Sequence, residues 1–380
     1  MHLPYKFLKY YIEFPNYLDR KNEFSIQKRY IVEKKELISK VEWSSEQTKE
    51  YRAFWSENYG FIPAVEHCKY FESINGIYNY KYIPRALYAS VIEPRMNPVK
   101  YAGFYAHKTL QNILFSGLDE IRIPRTFLSC MDGFYNVNDI LVPLDAAVKQ
   151  LSNIGEVIIK PTYWTSSGNN VRIMNVVNGV DINTNKSIKD IFKAYGKFFI
   201  VQELIKPCKT IQNLSLKSVN TFRVFTYLLD GVVHCGPVAF RIGVGNSITD
   251  NESTGGFATG VHDDGTLYKA AYSYEERGEN TGSFNKFEVH PDTNVTLDGY
   301  YIGDLDKVKY AAMKAHSRVP NLGVLSWDFT LDENENVTFI EVNTMYCGTD
   351  LNEIGTGETL FGENTEKVLK SIYKAKKIGI

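Results

Sequence analysis

Between residues 218 and 343 the chain reads as strand after strand with one helix among them, and this run constrains the fold most. "VNTFRVFTYLLDG", "VVHCGPVAFRIG" and "GGFATGVHDDGTL" are rich in β-branched and aromatic residues and are punctuated by Gly, Asp and Asn. "DLDKVKYAAMKAHSRV" is the helix, its apolar residues falling at three- and four-residue steps. The run closes on "LSWDFTLDENENVTFIEVN", residues 325–343, a hairpin whose turn is the polar cluster "DENEN".

That hairpin carries acids where a core is expected. Side chains alternate along a strand, so Glu341 and Asn343 point to one face while Ile340 and Val342 point to the other. Measured from the turn, Asp328 and Glu341 lie at roughly matching distances, so Asp328, Glu341 and Asn343 can converge on one patch. Two carboxylates and an amide oxygen are hard ligands of the kind Mg²⁺ takes together with nucleotide phosphates. Two acids on the solvent face of a sheet would give the same pattern, and spacing alone does not choose between them.

Upstream, residues 1–60 read mostly as helix, with "SSEQ" as a cap-like start to "SSEQTKEYRAFWSENYG". Residues 61–100, punctuated by Pro63, Pro84, Pro94 and Pro98, read as irregular structure between lobes. Helices are expected at "HKTLQNILFSG", after Pro143 in "LVPLDAAVKQLSNIG", at "SIKDIFKAYG", and at the basic C-terminal "NTEKVLKSIYKAKKIGI". "IRIPRTFLSC", "EVIIKPTY", "NNVRIMNVVNG" and "KFFIVQEL" are the strands between them.

Composition excludes several classes. A chain of 380 residues with ordinary hydrophobic and charged fractions is a globular protein large enough for two or three lobes. A net charge of −1 argues against a nucleic-acid surface. No apolar run approaches the roughly 20 residues that span a bilayer, and the N-terminus lacks a signal-peptide apolar core. Contact of the basic, Tyr-rich N-terminus with a membrane surface stays open, although its Glu and Asp residues weigh against it. Cys68, Cys130, Cys208, Cys235 and Cys347 are scattered and odd in number, so neither zinc site nor disulfide framework follows, and a reducing cytoplasm is the expected compartment.

The second informative stretch is "EVIIKPTYWTSSGNNVRIMN". Lys160 ends an apolar strand, and the loop after it holds Ser167 and Gly168 among small residues whose backbone N–H groups can approach phosphate oxygens. No Walker sequence occurs. The end of "FFIVQELI", Gln202, Glu203, Leu204 and Ile205, offers backbone groups to an adenine edge, or is a plain core strand. Arg223 and Arg241 lie inside strands, where each needs either a structural acid or an anion; beside an acid cluster and a phosphate loop, the anion is preferred. Lys108 opens a helix whose dipole prefers an acid there, a conflict that a bound phosphate would resolve. His262 and His290 are expected as surface or turn residues rather than bases.

The order Lys108, "VIIKP", small-residue loop, "IVQELI", "NTFRVFT", "FRIG", "GGFATGVHDDGTL", "SWDF" and "FIEVN" resembles the ATP-grasp superfamily over about residues 80–370. More narrowly, with "YIPRALYASVIEPRMN" upstream, it resembles the sugar-transfer-associated ATP-grasp proteins of surface-polysaccharide biosynthesis. The resemblance implies an α+β fold: a mainly helical N-terminal lobe (1–100), then two α+β lobes gripping ATP, at 101–205 with the phosphate-loop hairpin and 206–380 with the metal site. It implies that Lys108, Lys160, Ser167 and Gly168 meet ATP phosphates and that Gln202, Glu203, Leu204 and Ile205 line the adenine pocket. Asp328, Glu341 and Asn343 would bind Mg²⁺, and Arg223 and Arg241 would face the γ-phosphate or an acyl phosphate. D-alanine–D-alanine ligases of the superfamily carry an arginine two residues before the first metal acid, where this chain has Ser326.

The implied reaction is ATP- and Mg²⁺-dependent ligation of a carboxylate to an amine, or to a hydroxyl, through an acyl phosphate. Its small-molecule substrates would be a sugar acid and an amino acid or amine, with no nucleic-acid partner and no nucleophilic side chain from the protein. Two rivals stand beside it: a phosphotransferase acting on a sugar or alcohol, and a non-catalytic nucleotide-binding scaffold.

Overall fold

A computed structural model of the chain describes residues 31–162, 170–215, 217–274 and 284–378, together with 21, 25, 28 and 29. The predicted phosphate-loop residues Ser167 and Gly168 lie outside the described residues, as does the N-terminus up to residue 20.

The first sheet is wholly antiparallel and comprises β1 (Thr126–Met131), β2 (Phe134–Val137), β3 (Ile140–Val142), β4 (Gly155–Pro161), β5 (Arg172–Val177), β6 (Val180–Asp181), β7 (Lys186–Ser187) and β8 (Phe198–Glu203). Its order is β3-β2-β1-β8-β4-β5-β6-β7. The helices Leu144–Gln150 and Ile188–Tyr195 pack on one face, where Val157, Ile159, Phe192, Phe199 and Val201 form a common core. Because β4 buries Val157 and Ile159 there, alternation turns Ile158 and Lys160 to the opposite face.

The second sheet comprises β9 (Thr221–Leu229), β10 (Val232–Ile242), β11 (Phe257–Val261), β12 (Leu267–Tyr274), β13 (Phe284–Phe287), β14 (Val324–Leu331) and β15 (Val337–Asn343). Its order is β13-β12-β11-β10-β9-β14-β15, again antiparallel throughout. One face is mainly apolar: Phe222, Val224, Val238, Phe240, Trp327 and Phe329 pack with the helix Leu305–His316.

The other face is divided, and the division positions the site. At one end Phe225, Tyr227, Leu229 and Val324 share a core with the helices Ser45–Asn58 and Glu66–Asn75 and with residues 360–372. At the other end the same alternation presents Arg223, Arg241 and Asp328, with no such helices over them. The N-terminal helices therefore cover half of a sheet face and leave its polar half as a floor. Buried Glu353 helps fasten that cover, its Oε1 accepting from the N–H groups of Ile83 (3.0 Å) and Leu360 (2.9 Å).

Local expectations mostly stand. Ser44 caps Ser45–Asn58 in a reciprocal capping box with Gln47, as "SSEQ" predicts. Residues 61–100 differ: despite their prolines they hold helices at Glu66–Asn75, Arg85–Leu87 and Glu93–Met96 and a π-helical turn at Tyr88–Ile92. Pro84 stands just before a helix and Pro94 in a first turn, places where a missing N–H costs nothing. All five cysteines are free thiols. No helix among the described residues is long and apolar enough to cross a membrane.

Candidate active site

The two sheets face each other across a cavity of about 120 Å³. Ile158, Lys160 and Gln202 form its roof from the first sheet, and Thr221, Arg241, Asp328, Ile340 and Glu341 its floor from the second. Glu203, Leu204 and Ile205 wall one end with Pro124, Lys108 enters from its helix start, and the loop Ile248–Asn251 closes the side. The cavity thus gathers Lys108, Lys160, Gln202–Ile205, Arg241, Asp328 and Glu341 from the residues predicted for a nucleotide site. Arg223 and Asn343 border it, one opposite Asp328 and the other two residues beyond Glu341.

Asp328 and Glu341 are paired directly across β14 and β15, and two pairs further on Ser326 opposes Asn343. A bulge follows, because Phe329 pairs with Phe339 and leaves Ile340 as the extra residue. This corrects the strict alternation read from the sequence. Phe339 and Val342 both reach the apolar core, whereas Ile340 lines the cavity beside Glu341 instead of pointing away from it. Without the extra residue, Phe339 and Glu341 would share a face.

The charges are interlocked. Arg223 Nε lies 2.7 Å from Asp328 Oδ1, and its Nη2 donates to Asp328 Oδ2 at 3.2 Å. Arg241 lies between two acids, Nη1 3.3 Å from Asp328 Oδ2 and Nη2 3.0 Å from Asp250 Oδ1, and also donates to Asn251 Oδ1. Thr221 donates to Asp250 Oδ2 at 2.5 Å. Of the two partners the sequence left open for these arginines, the structure shows the acid at each. Asp250 and Asn251 were not anticipated, because a polar loop such as "GNSITDNESTGG" carries no periodicity; the need of Arg241 for a partner was the available signal.

On the other strand, Lys108 Nζ lies 2.5 Å from Glu341 Oε2. Lys108 is itself placed by its backbone N–H, which donates to Thr162 O just past β4 (3.1 Å). Burial pulls the Glu341 carboxyl up, but Lys108 and then Lys160 and Arg223 hold it well below the usual range. Asp328 goes the other way, raised by burial and by Glu341 against the pull of both arginines. The Lys160 ammonium is pushed down to about 8, first by burial and then by Lys108, with Glu341 opposing.

Gln202 and Glu203 have their side chains engaged outside a nucleotide role. Gln202 Nε2 donates to Thr126 Oγ1 (3.2 Å) and Pro124 O (3.4 Å), and Glu203 Oε1 accepts from the Arg125 N–H (2.7 Å). His262 is an exposed turn residue stacked on Tyr268, as expected. His290 is in a turn but not at the surface. It is fully buried, its Nδ1 accepting from the N–H groups of Asp292 and Thr293 and its Nε2 facing Gly243 O at 3.1 Å.

Among the described residues no three His, Cys, Asp or Glu side chains are grouped to hold a metal. What the floor offers is two carboxylates in direct cross-strand opposition with the Asn343 amide two pairs further on. That donor set fits Mg²⁺, which takes one or two carboxylates and completes its shell with phosphate oxygens and water.

Two antiparallel lobes closing on a cation-lined cavity with opposed acids on its floor are the ATP-grasp fold. The chain belongs to the sugar-transfer-associated ATP-grasp family, whose model matches residues 89–370. Solved structures similar to it include the VanG D-Ala:D-Ser ligase from Enterococcus faecalis, at 13% identity over 70% of this chain and 61% of that one (TM-score 0.40). D-alanyl-alanine synthetase A from Vibrio cholerae is similar at 13% identity over 72% and 66% (TM-score 0.42). Biotin carboxylase from Campylobacter jejuni is similar at 14% identity over 71% and 46% (TM-score 0.39). The chain spans less than two thirds of each of these proteins. No curated protein matches it.

Proposed function

We propose that the protein is an ATP-dependent ligase that activates a carboxylate as an acyl phosphate and transfers it to an amine. The observation that carries this reading is the cross-strand pair Asp328 and Glu341 facing Lys108, Lys160 and Arg241 in one cavity. Adenine would lie against the backbone of Leu204 and Ile205, and the phosphates between Lys108 and Lys160. Mg²⁺, held by Asp328, Glu341 and Asn343, would neutralise the β- and γ-phosphate oxygens.

A substrate carboxylate oxygen attacks the γ-phosphorus, and the bond from that phosphorus to ADP breaks. Arg241, fixed between Asp250 and Asp328, and Arg223 behind Asp328 meet the negative charge that develops on the phosphoryl group. The amine then attacks the acyl carbon, phosphate leaves with one former carboxylate oxygen, and the amine's proton is lost to solvent. A sugar acid joined to an amino acid or amine in surface-polysaccharide synthesis is the substrate class that the family's association with sugar transfer favours. The demand for ATP places the reaction in the cytoplasm.

Isotope tracing tests the chemistry. With ¹⁸O in the substrate carboxylate, one labelled oxygen must appear in released phosphate. Label retained entirely in an organic product that carries phosphate on a hydroxyl would replace the ligase with a phosphotransferase.

Lys160 gives a test of the nucleotide alone. Its lowered ammonium leaves part of the population neutral near pH 8, and a phosphate beside it restores the proton. ATP binding at a pH of about 8.5 is therefore expected to take up protons, and affinity to fall as pH rises through that range. Lys160→Met should remove the uptake and weaken ATP binding roughly 10- to 100-fold, the worth of one charge-assisted contact. Calorimetry in buffers of different ionisation enthalpy measures both, and unchanged affinity with unchanged uptake would take Lys160 out of the site.

A further inference from the structure

The segment that joins the helix Lys108–Phe115 to β1 crosses from one sheet to the other. At Arg122 it lies along the edge strand β15: its N–H donates to Val337 O (2.8 Å) and its carbonyl accepts from Phe339 N (3.0 Å). Three residues on it is bonded to the end of β8, with Arg125 O accepting from Glu203 N (3.0 Å) and Arg125 N donating to Glu203 Oε1 (2.7 Å).

The Arg122 side chain spans the same gap. Its Nη2 lies 2.9 Å from Glu203 Oε1 and its Nε 3.3 Å from Asp332 Oδ2. Glu203 ends the strand that continues into the Leu204–Ile205 wall. Asp332 follows directly on β14, the strand of Asp328, and its Oδ1 accepts from the N–H groups of Asn334 and Asn336, each at 2.9 Å. One guanidinium thus ties the wall of the cavity to the strand that carries its floor. A planar guanidinium, with its donors fixed in a rigid fork, holds two carboxylates at a defined separation.

We propose that Arg122 is a positioning residue: it sets the spacing between the Leu204–Ile205 wall and the acids Asp328 and Glu341. The inference rests on the nucleotide reading above, because it concerns a ligand that must reach wall and floor together. It is not an argument about stability. Arg122 is 37% exposed, and ion pairs so open to water hold little of a fold together. What they do at this place is fix a distance, and a ligand that bridges two subsites is sensitive to the distance between them.

The test uses ligands of different reach. In Arg122→Met, ATP is expected to bind on the order of 10-fold more weakly, while adenosine, which needs only the wall, and inorganic tripolyphosphate, which needs only the floor and lysines, bind as in the parent. Should that variant fail to fold, Asp332→Asn carries the same test, since the amide oxygen keeps the turn's acceptor and the charge that draws Arg122 is gone. Unchanged ATP affinity would overturn the proposal, and so would a parallel loss for adenosine or tripolyphosphate, which would mean damage to one sheet. A parent protein that binds neither ATP nor adenosine would overturn the nucleotide reading together with this one.

Discussion

Glu341→Gln is expected to lower ATP-dependent turnover on the order of 10³-fold while lowering the melting temperature of the nucleotide-free protein less than Asp328→Asn does. The loss comes from removing one of two charged oxygen ligands at the transferring phosphoryl group. The stability that its favoured carboxylate contributes is moderated because the pair it forms with Lys108 is partly open to water, with Lys108 18% and Glu341 27% exposed. Asp328→Asn should lose turnover comparably but should also destabilise the fold, by about 3 kcal/mol or more. Asp328 is buried and is the shared partner of Arg223 and Arg241, so neutralising it takes the charged partner from Arg223 and leaves Arg241 with Asp250. ADP release and thermal melting, measured on both variants, check the pair of expectations. Normal turnover in Glu341→Gln would remove the metal role from this hairpin.

Arg241→Lys is expected to abolish product formation, on the order of 10²-fold or more, with ATP affinity within a few-fold of the parent. Arg241 divides its guanidinium between Asp328 on one side and Asp250 with Asn251 on the other. A lysine ammonium is one point charge and cannot hold both, so the floor loses the fixed cation that meets the acyl phosphate. Lys108 and Lys160 remain to bind ATP. Calorimetry against product assay separates these effects. Loss of ATP affinity in step with activity would make Arg241 a binding residue and take from it any role in the chemistry.

Much of this site was legible as sequence because its signals are local. A capping box spans Ser44 to Gln47, and strand alternation places Ile158 and Lys160 on one face within three residues. The turn "DENEN" sets the register from Leu331–Val337 to Phe329–Phe339, which brings Asp328 within one residue of Glu341. The family order of motifs supplied the nucleotide reading, and 282 of its residues, 89 to 370, match. Where local rules failed, a non-local fact had intervened. His290 sits in a turn as expected, yet the turn is folded into the interior, and only packing shows that.

By itself the sequence determined most of the strands and helices around the cavity, that two carboxylates lie close on one hairpin, and that a lysine stands at a strand mouth, since each follows from periodicity over a few residues. The tertiary structure alone decided three things. It paired Arg223 and Arg241 with Asp328 across 105 and 87 residues, where the sequence left acid or anion open. It placed an extra residue at Ile340, which sends Phe339 to the core and Glu341 to the cavity. And it laid the N-terminal helices over one half of a sheet face, so that the polar half stays open to a ligand. Alternation reports which side of a strand a residue takes, but what covers that side is fixed by chain segments hundreds of positions away, and no local pattern encodes their approach.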